Sequence, residues 1–212
     1  MTLQGRTFIA RHGETVFNAV ARMQGQFHVH TPLTVRGFEQ ADEMGRALAE
    51  WLGTRQALTL WSSTAGRALQ TLAVVCEHIG ADWHQARRDD RLQEIDVGEW
   101  SGRSYSEIAA ENGDFVDMNH GLFTVRAPGG EDYSDVAARL SAWVADVSSE
   151  TGDRLVLMHG MSSRVLRGLL LGLDVDPRFG APIAGSLPQG TMMMIGGGAE
   201  KIIHTGKGVQ HA

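Results

Sequence analysis

Short apolar runs alternate along this chain with longer segments whose apolar residues recur every three or four positions. Thr7–Arg11, 58–62 and Arg154–Met158 are brief and apolar enough to predict buried strands. Between 34 and 52, Phe38, Ala41, Met44, Leu48 and Trp51 share the spacing of one helix face. Between 132 and 148, Tyr133, Val136, Leu140, Trp143 and Val147 do the same. Residues 65–79, 104–111 and 162–171 predict further helices. At the end of the chain, 191–195 and 201–204 flank Gly196, Gly197 and Gly198, the pattern of a hairpin turning on glycine. Strands alternating with helices predict an α/β fold: a three-layer sandwich with a mainly parallel central sheet flanked by helices. The chain 1–212 is expected to form one domain, with the weakly patterned 98–128 as a cap or excursion over the site. The polar tail 206–212 is expected to fray.

Composition narrows the class. A chain of 212 residues with 42% apolar and 21% charged residues has the make-up of an ordinary globular domain. At that size a core forms without help from disulfides or metals. A net charge of −6 argues against general nucleic-acid binding, while leaving room for a local cationic pocket. Cys76, the only cysteine, lies in the apolar run LAVVC and reads as a buried, inert thiol in a cytoplasmic enzyme. The apolar stretch 7–10 runs straight into Arg11 and His12, so neither a leader nor a membrane span is expected.

Candidate chemistry collects where predicted strands end. Arg11, His12, Gly13, Glu14 and Thr15 follow the first strand, with Asn18 close behind. Ser62, Ser63 and Arg67 follow the second, and His159 and Gly160 follow the apolar strand near 158. Ligands of open α/β sheets bind beyond the carboxyl ends of the strands. Two arginines and two histidines are therefore expected to converge there on one anion.

Taken in order, RHGET (11–15), QG (24–25), PLTxxG (32–37), SSxxxRAxQT (62–71), LxExxxGxxxG (92–102), PGGE (128–131) and HG (159–160) resemble the histidine phosphatase superfamily, also called phosphoglycerate mutase-like, over nearly the whole chain. The resemblance implies a metal-free, cofactor-free, two-step transfer in which His12 attacks phosphorus and water later releases phosphate. A neutral imidazole suits the attack at pH 7, and covalent catalysis splits one hard displacement into two easier ones. Arg11 and Arg67 would grip phosphate oxygens, and His159, if protonated, would add a third charged donor. Glu94 matches the family's general acid. Gly13, Thr15, Asn18, Gln24, Gly25 and Gly160 match positions that shape the phosphate or substrate site. Glu131, in PGGE, has a more variable role.

Blander readings compete at several positions. His28 and His30 sit two apart, as metal ligands on a strand sometimes do, but without a third ligand they read as loop histidines. The segment 26–31, where the family has an aspartate, is expected at the pocket mouth. Arg87, Arg88, Asp89, Asp90 and Arg91 read as a solvated loop. Gly206, Lys207 and Gly208 lack the spacing of a P-loop, and no serine-hydrolase elbow occurs. The methionines 192–194 read as strand core. The resemblance then implies a phosphatase acting on a small phosphomonoester, with neither nucleic acid nor membrane as partner and a homodimer as the open question of assembly. A mutase is the nearest rival. Mutases of the family carry adjacent arginines after the acid, whereas this chain has the separated Arg103 and Arg126. A catalytically dead, phosphate-binding relative is the third reading.

Overall fold

The computed structural model describes residues 3–54 and 57–207. Along them run β1 (Thr7–Arg11), α1 (Val16–Ala19), α2 (Val35–Leu52), β2 (Thr59–Ser62), α3 (Gly66–Ile79), β3 (Arg87–Arg88), α4 (Tyr105–Asn112), β4 (Val116–Asp117) and β5 (Leu122–Phe123). They are followed by α5 (Tyr133–Val147), β6 (Arg154–Met158), α6 (Gly160–Leu171), β7 (Met192–Gly196) and β8 (Ala199–His204).

Six strands form one sheet in the order β3-β2-β6-β1-β7-β8. The first four are parallel, while β7 pairs antiparallel with β1 and β8 antiparallel with β7. The pleat sends alternate residues of each strand to opposite faces. Phe8, Ala10, Leu155 and Leu157 meet Met44 and Leu48 of α2 and Leu72 and Val75 of α3. Ile9, Val156 and Met158 meet Leu140 and Trp143 of α5 and Val165 and Leu166 of α6. With both faces covered, β1 and β6 must be buried along their whole length, which explains their unbroken runs. The result is the three-layer α/β arrangement.

The predicted face of α2 needs correction. Its buried stripe passes through Gly37, Gln40, Ala41, Met44, Gly45 and Leu48, leaving Phe38 41% exposed. Close backbone approach decides this orientation, because a Cβ on Gly37 would lie 2.0 Å from the carbonyl oxygen of Glu14. The stretch 87–91 is not simply a solvated loop. β3 pairs in parallel with Trp61 and Ser62, and backbone pairing needs nothing of the charged side chains, which stay exposed. Arg87 lies over the Trp61 ring at 5.2 Å, and Arg91 pairs with Asp89 at 2.7 Å. Gly206 is anchored rather than frayed: its amide donates to Thr191 Oγ1 at 2.9 Å. The rest of the predicted tail, 208–212, lies outside the described residues.

The excursion 98–128 carries α4 and the small β4-β5 hairpin. Trp100, Ile108, Phe115, Leu122 and Phe123 bury into the same cluster as α5 and α6. Cys76 is buried, and burial raises its thiol to about 12, out of reach of ionisation near neutrality. Among the described residues no helix is long and apolar enough to cross a membrane.

Candidate active site

Three parallel strands deliver the predicted residues to one edge of the sheet. The His12 amide continues the β1 ladder, donating to Met158 O of β6 at 3.1 Å, and the Ser63 amide donates to Leu157 O at 2.9 Å. His12, Ser63 and His159 are thus the first residues beyond β1, β2 and β6. The rings of His12 and His159, 147 positions apart, have centroids 5.1 Å from each other.

Each ring is oriented by a specific bond. His12 Nδ1 lies 2.7 Å from Gly13 O, an acceptor only, so Nδ1 carries the hydrogen and Nε2 keeps the lone pair. His159 Nδ1 accepts from Arg67 Nε at 3.2 Å, and its Nε2 lies 2.7 Å from Ser63 Oγ. Burial, then Arg67 and Arg11, holds His12 well below its ordinary pKa. Burial, then Arg67 and His12, does the same to His159. Both imidazoles are neutral at pH 7. The cations of the ligand-free site are its arginines.

Arg11 donates to the carbonyl of Leu187. Its guanidinium packs on Gly160, where a Cβ would come within 3.0 Å of Cζ, so the glycine after His159 makes room for the arginine before His12. Arg67 donates to Gly25 O at 3.3 Å and His28 O at 3.5 Å. Burial lowers its pKa to about 10, against the opposing charge of Glu94. It remains charged at neutral pH.

Glu94 sits against the start of α6. Its Oε1 accepts from the amides of Ile95 at 3.0 Å and Ser162 at 2.9 Å, and the Met161 amide is shared between Oε1 at 3.2 Å and Oε2 at 3.1 Å. A helix N-terminus is a natural seat for a carboxylate. Glu131 supports it from behind: paired with Arg139 at 2.8 Å, it accepts from the Asp96 amide at 3.0 Å, while Arg139 also donates to Glu94 O at 3.2 Å.

A cleft of about 680 Å³, its open mouth included, is lined by Arg11, His12, Asn18, Gln24, Glu94 and Gly160 among the predicted residues. Arg67 and His159 are not among the residues of the wall; His159 packs against His12 and accepts from Arg67. Thr15 is buried as the N-cap of α1, its hydroxyl bonded to Asn18 and Gln24 at 2.9 Å each. Gln24 Nε2 is buried and meets no acceptor among the described residues. Gly13 and Gly25 act through their carbonyls. The segment 26–31 contributes nothing to the cleft wall, contrary to expectation: Gln26 Nε2 donates to Glu94 O at 2.9 Å, and His28 packs on Phe17 at 4.9 Å. Among the described residues no cluster of metal-ligating side chains occurs.

The wall also holds residues that sequence reading missed, notably Arg22, Tyr105, Phe123, Met161, Arg164 and Ser186. Arg164 carried a signal, as a charged residue on the apolar face of a helix that follows a strand-end histidine. Ala21, also in the wall, has φ +50, an unusual backbone for a residue with a Cβ; nothing in its composition announces that.

The comparisons agree with this geometry. A family model described as the histidine phosphatase superfamily (branch 1) matches residues 7–185. A protein of Salmonella paratyphi C named "Probable phosphoglycerate mutase GpmB" is 32% identical over 171 residues, covering 79% of this chain and 75% of its own. Among solved structures, a mycobacterial glucosyl-3-phosphoglycerate phosphatase in complex with VO3 aligns with a TM-score of 0.75 at 30% identity, covering 97% of this chain and 100% of its own. A second, titled mycobacterial hydrolase 1, aligns at 0.74 and 27% identity with the same coverage. With its strand-end histidines, buried arginines and family match in register, this chain belongs to the histidine phosphatase superfamily.

Proposed function

We propose that the protein is a phosphomonoesterase that hydrolyses a small phosphorylated metabolite through a phosphohistidine on His12. The observation that carries the reading is the His12 ring: neutral, fixed through Nδ1 to Gly13 O at 2.7 Å, lining the cleft, with Nε2 left as the nucleophile. Phosphoryl transfer needs positioning and charge stabilisation more than covalent help from other groups. Arg11 and Arg67 supply the charge, with no step assigned to a metal. Asn18 and Gln24 complete the anion's surroundings from the wall. His159 accepts from Arg67 Nε through Nδ1 and so carries its hydrogen on Nε2, toward Ser63 Oγ, which positions the Arg67 guanidinium beside His12. Glu94, the one carboxylate in the cleft wall among the described residues, protonates the leaving alkoxide; its Oε2 is the less engaged oxygen.

The Salmonella relative's name favours a second reading, a mutase that returns the phosphoryl group to its substrate. Arg103 and Arg126 do not serve it: the first pairs with Glu111, the second with Asp132 and Asp135, and neither lines the cleft. The two relatives are named for phosphoglycerate and glucosyl-3-phosphoglycerate, so these phosphomonoesters head the screen. The test is turnover in EDTA with p-nitrophenyl phosphate and 3-phosphoglycerate, with an alkaline quench and mass mapping of the phosphopeptide. Expected are phosphate release, a phosphate on His12, and loss of both in His12→Ala. Near-normal activity in that variant would overturn the nucleophile assignment; isomerised product without phosphate release would establish the mutase.

A further inference from the structure

Away from the cleft the buried arginines of this fold have local counter-charges, and at the cleft Arg11 and Arg67 lie in the field of Glu94, whereas no carboxylate acts on Arg164. Arg139 pairs with Glu131 at 2.8 Å and Arg167 with Glu200 at 2.9 Å. Arg154, at the far end of β6, lies in the field of Glu150 and Asp153. Arg164 is 4% exposed and pairs with no carboxylate among the described residues. Its Nε donates to Ala184 O at 2.8 Å and its Nη1 to His120 O at 2.8 Å and Gly121 O at 3.3 Å. Its Nη2 has no acceptor among the described residues. The charged groups acting on it are Arg11 and Arg167, both repulsive, and Tyr133, which burial keeps un-ionised.

Burying a guanidinium without a counter-charge leaves much of its desolvation cost unrecovered. Three backbone carbonyls solvate Arg164 and fix its plane, but they leave its net charge standing. That charge is in the same cleft wall as His12 and Arg11. Arg22 adds a further cation to the wall, its Nη1 donating to Gly102 O at 3.0 Å. Against the wall's arginines stands one carboxylate, Glu94, whose oxygens already accept backbone amides. The excess is local, since the chain as a whole carries −6. One phosphate held by Arg11 and Arg67 does not account for it.

We propose that Arg164 holds a second anionic group of the substrate, a carboxylate or a second phosphate, so that the enzyme selects phosphomonoesters carrying another negative charge a few bonds from the reacting phosphate. The inference rests on the phosphomonoester reading above and adds the substrate class. Arg164 stands on α6, five residues after His159, so the helix that places the ring also places the guanidinium. A planar fork with one edge anchored by carbonyls and Nη2 unspent suits such a group.

Binding tests this apart from turnover. His12→Ala protein, with and without Arg164→Gln or Arg164→Lys, is titrated calorimetrically with glycerol 3-phosphate, 3-phosphoglycerate and 1,3-propanediol bisphosphate. The first has a neutral far end, the second a carboxylate and the third a second phosphate. At least one doubly anionic ligand is expected to bind about 10- to 100-fold more tightly than glycerol 3-phosphate, the range for a charge-assisted contact. Which one does identifies the anion. Arg164→Gln should erase that preference and change glycerol 3-phosphate affinity less than about threefold, with Arg164→Lys keeping part of it. Equal affinities for all three ligands, or a preference that survives Arg164→Gln, would overturn the proposal. So would a parallel loss for all three, which would mark Arg164 as a clamp on 120–121 and 184. Turnover of p-nitrophenyl phosphate by the unmodified protein is scored separately. Preference without turnover removes the phosphatase reading and keeps the subsite; turnover without preference removes the subsite alone.

Discussion

Replacing Glu94 by glutamine should separate proton donation from every other contribution of that side chain. The structure makes the substitution nearly isosteric in its contacts. The amide oxygen can take the place of Oε1, which accepts from Ile95, Ser162 and, at 3.2 Å, Met161. What changes on the other side is one half of the shared Met161 contact, at 3.1 Å, and the capacity to release a proton. General acid catalysis contributes roughly 10²–10⁴ in rate. At about 1.36 kcal/mol per factor of ten, the transition state would lose about 2.7–5.4 kcal/mol.

That loss must depend on the leaving group. An alkoxide is a poor leaving group without a proton, whereas p-nitrophenolate departs as a stable anion. In the proposed mechanism kcat/KM reports steps up to phosphorylation of His12, so it isolates the step assigned to Glu94. Glu94→Gln is expected to lower kcat/KM for an alkyl phosphate by roughly 10²–10⁴ and for p-nitrophenyl phosphate by less than about tenfold. An equal fall for both substrates would mean that Glu94 acts only through the start of α6. No fall for either would remove it from the mechanism.

Other consequences are more direct. His12 and His159 have folded pKa values depressed below the ordinary 6.5, so the unfolded chain binds more protons as pH falls below that value. Stability should be fully present above about pH 6.5 and decline toward pH 5 by up to about 2 kcal/mol per histidine; urea unfolding at several pH values checks it, and a flat profile would contradict the neutral rings. Arg67→Ala should cost on the order of a hundredfold or more in kcat/KM, by analogy with lost oxyanion donors; a change below about threefold would place Arg67 outside the anion's reach.

Much of this was legible in the chain because the signals were local. β1 and β6 announced themselves as apolar runs since both faces of the sheet are covered, and the residues just beyond them then had to share one edge. The histidines at 12 and 159 follow from that rule with no tertiary information. What stayed hidden depends on backbone approach or on contacts between distant segments. Spacing puts Phe38 on the buried face because it cannot reveal that Gly37 docks against Glu14 and rotates α2. β3 was missed because an edge strand two residues long has no side-chain signature. The segment 26–31 looked like a pocket mouth from its place after Gln24 and Gly25, yet Gln26 turns inward to Glu94 O. The amides that hold Glu94 come from positions 161 and 162, which no pattern near residue 94 could supply.

The way the arginines are held explains how an acidic protein keeps a cationic cleft. Away from the cleft, Arg6, Arg91, Arg139, Arg167 and Arg178 are each fixed by a carboxylate, which cancels the charge it positions. At the cleft, carbonyl oxygens do the fixing: Leu187 for Arg11, Gly25 and His28 for Arg67, and His120, Gly121 and Ala184 for Arg164. A carbonyl dipole orients a guanidinium and offsets part of its desolvation without neutralising it. The full charge is then in place before the anion arrives and need not reorganise as charge spreads over the transferring phosphoryl oxygens, the condition under which electrostatic stabilisation is largest. In the proposed transfer, burial that keeps His12 neutral and carbonyls that keep the arginines charged serve the same step, one supplying the lone pair and the other the field.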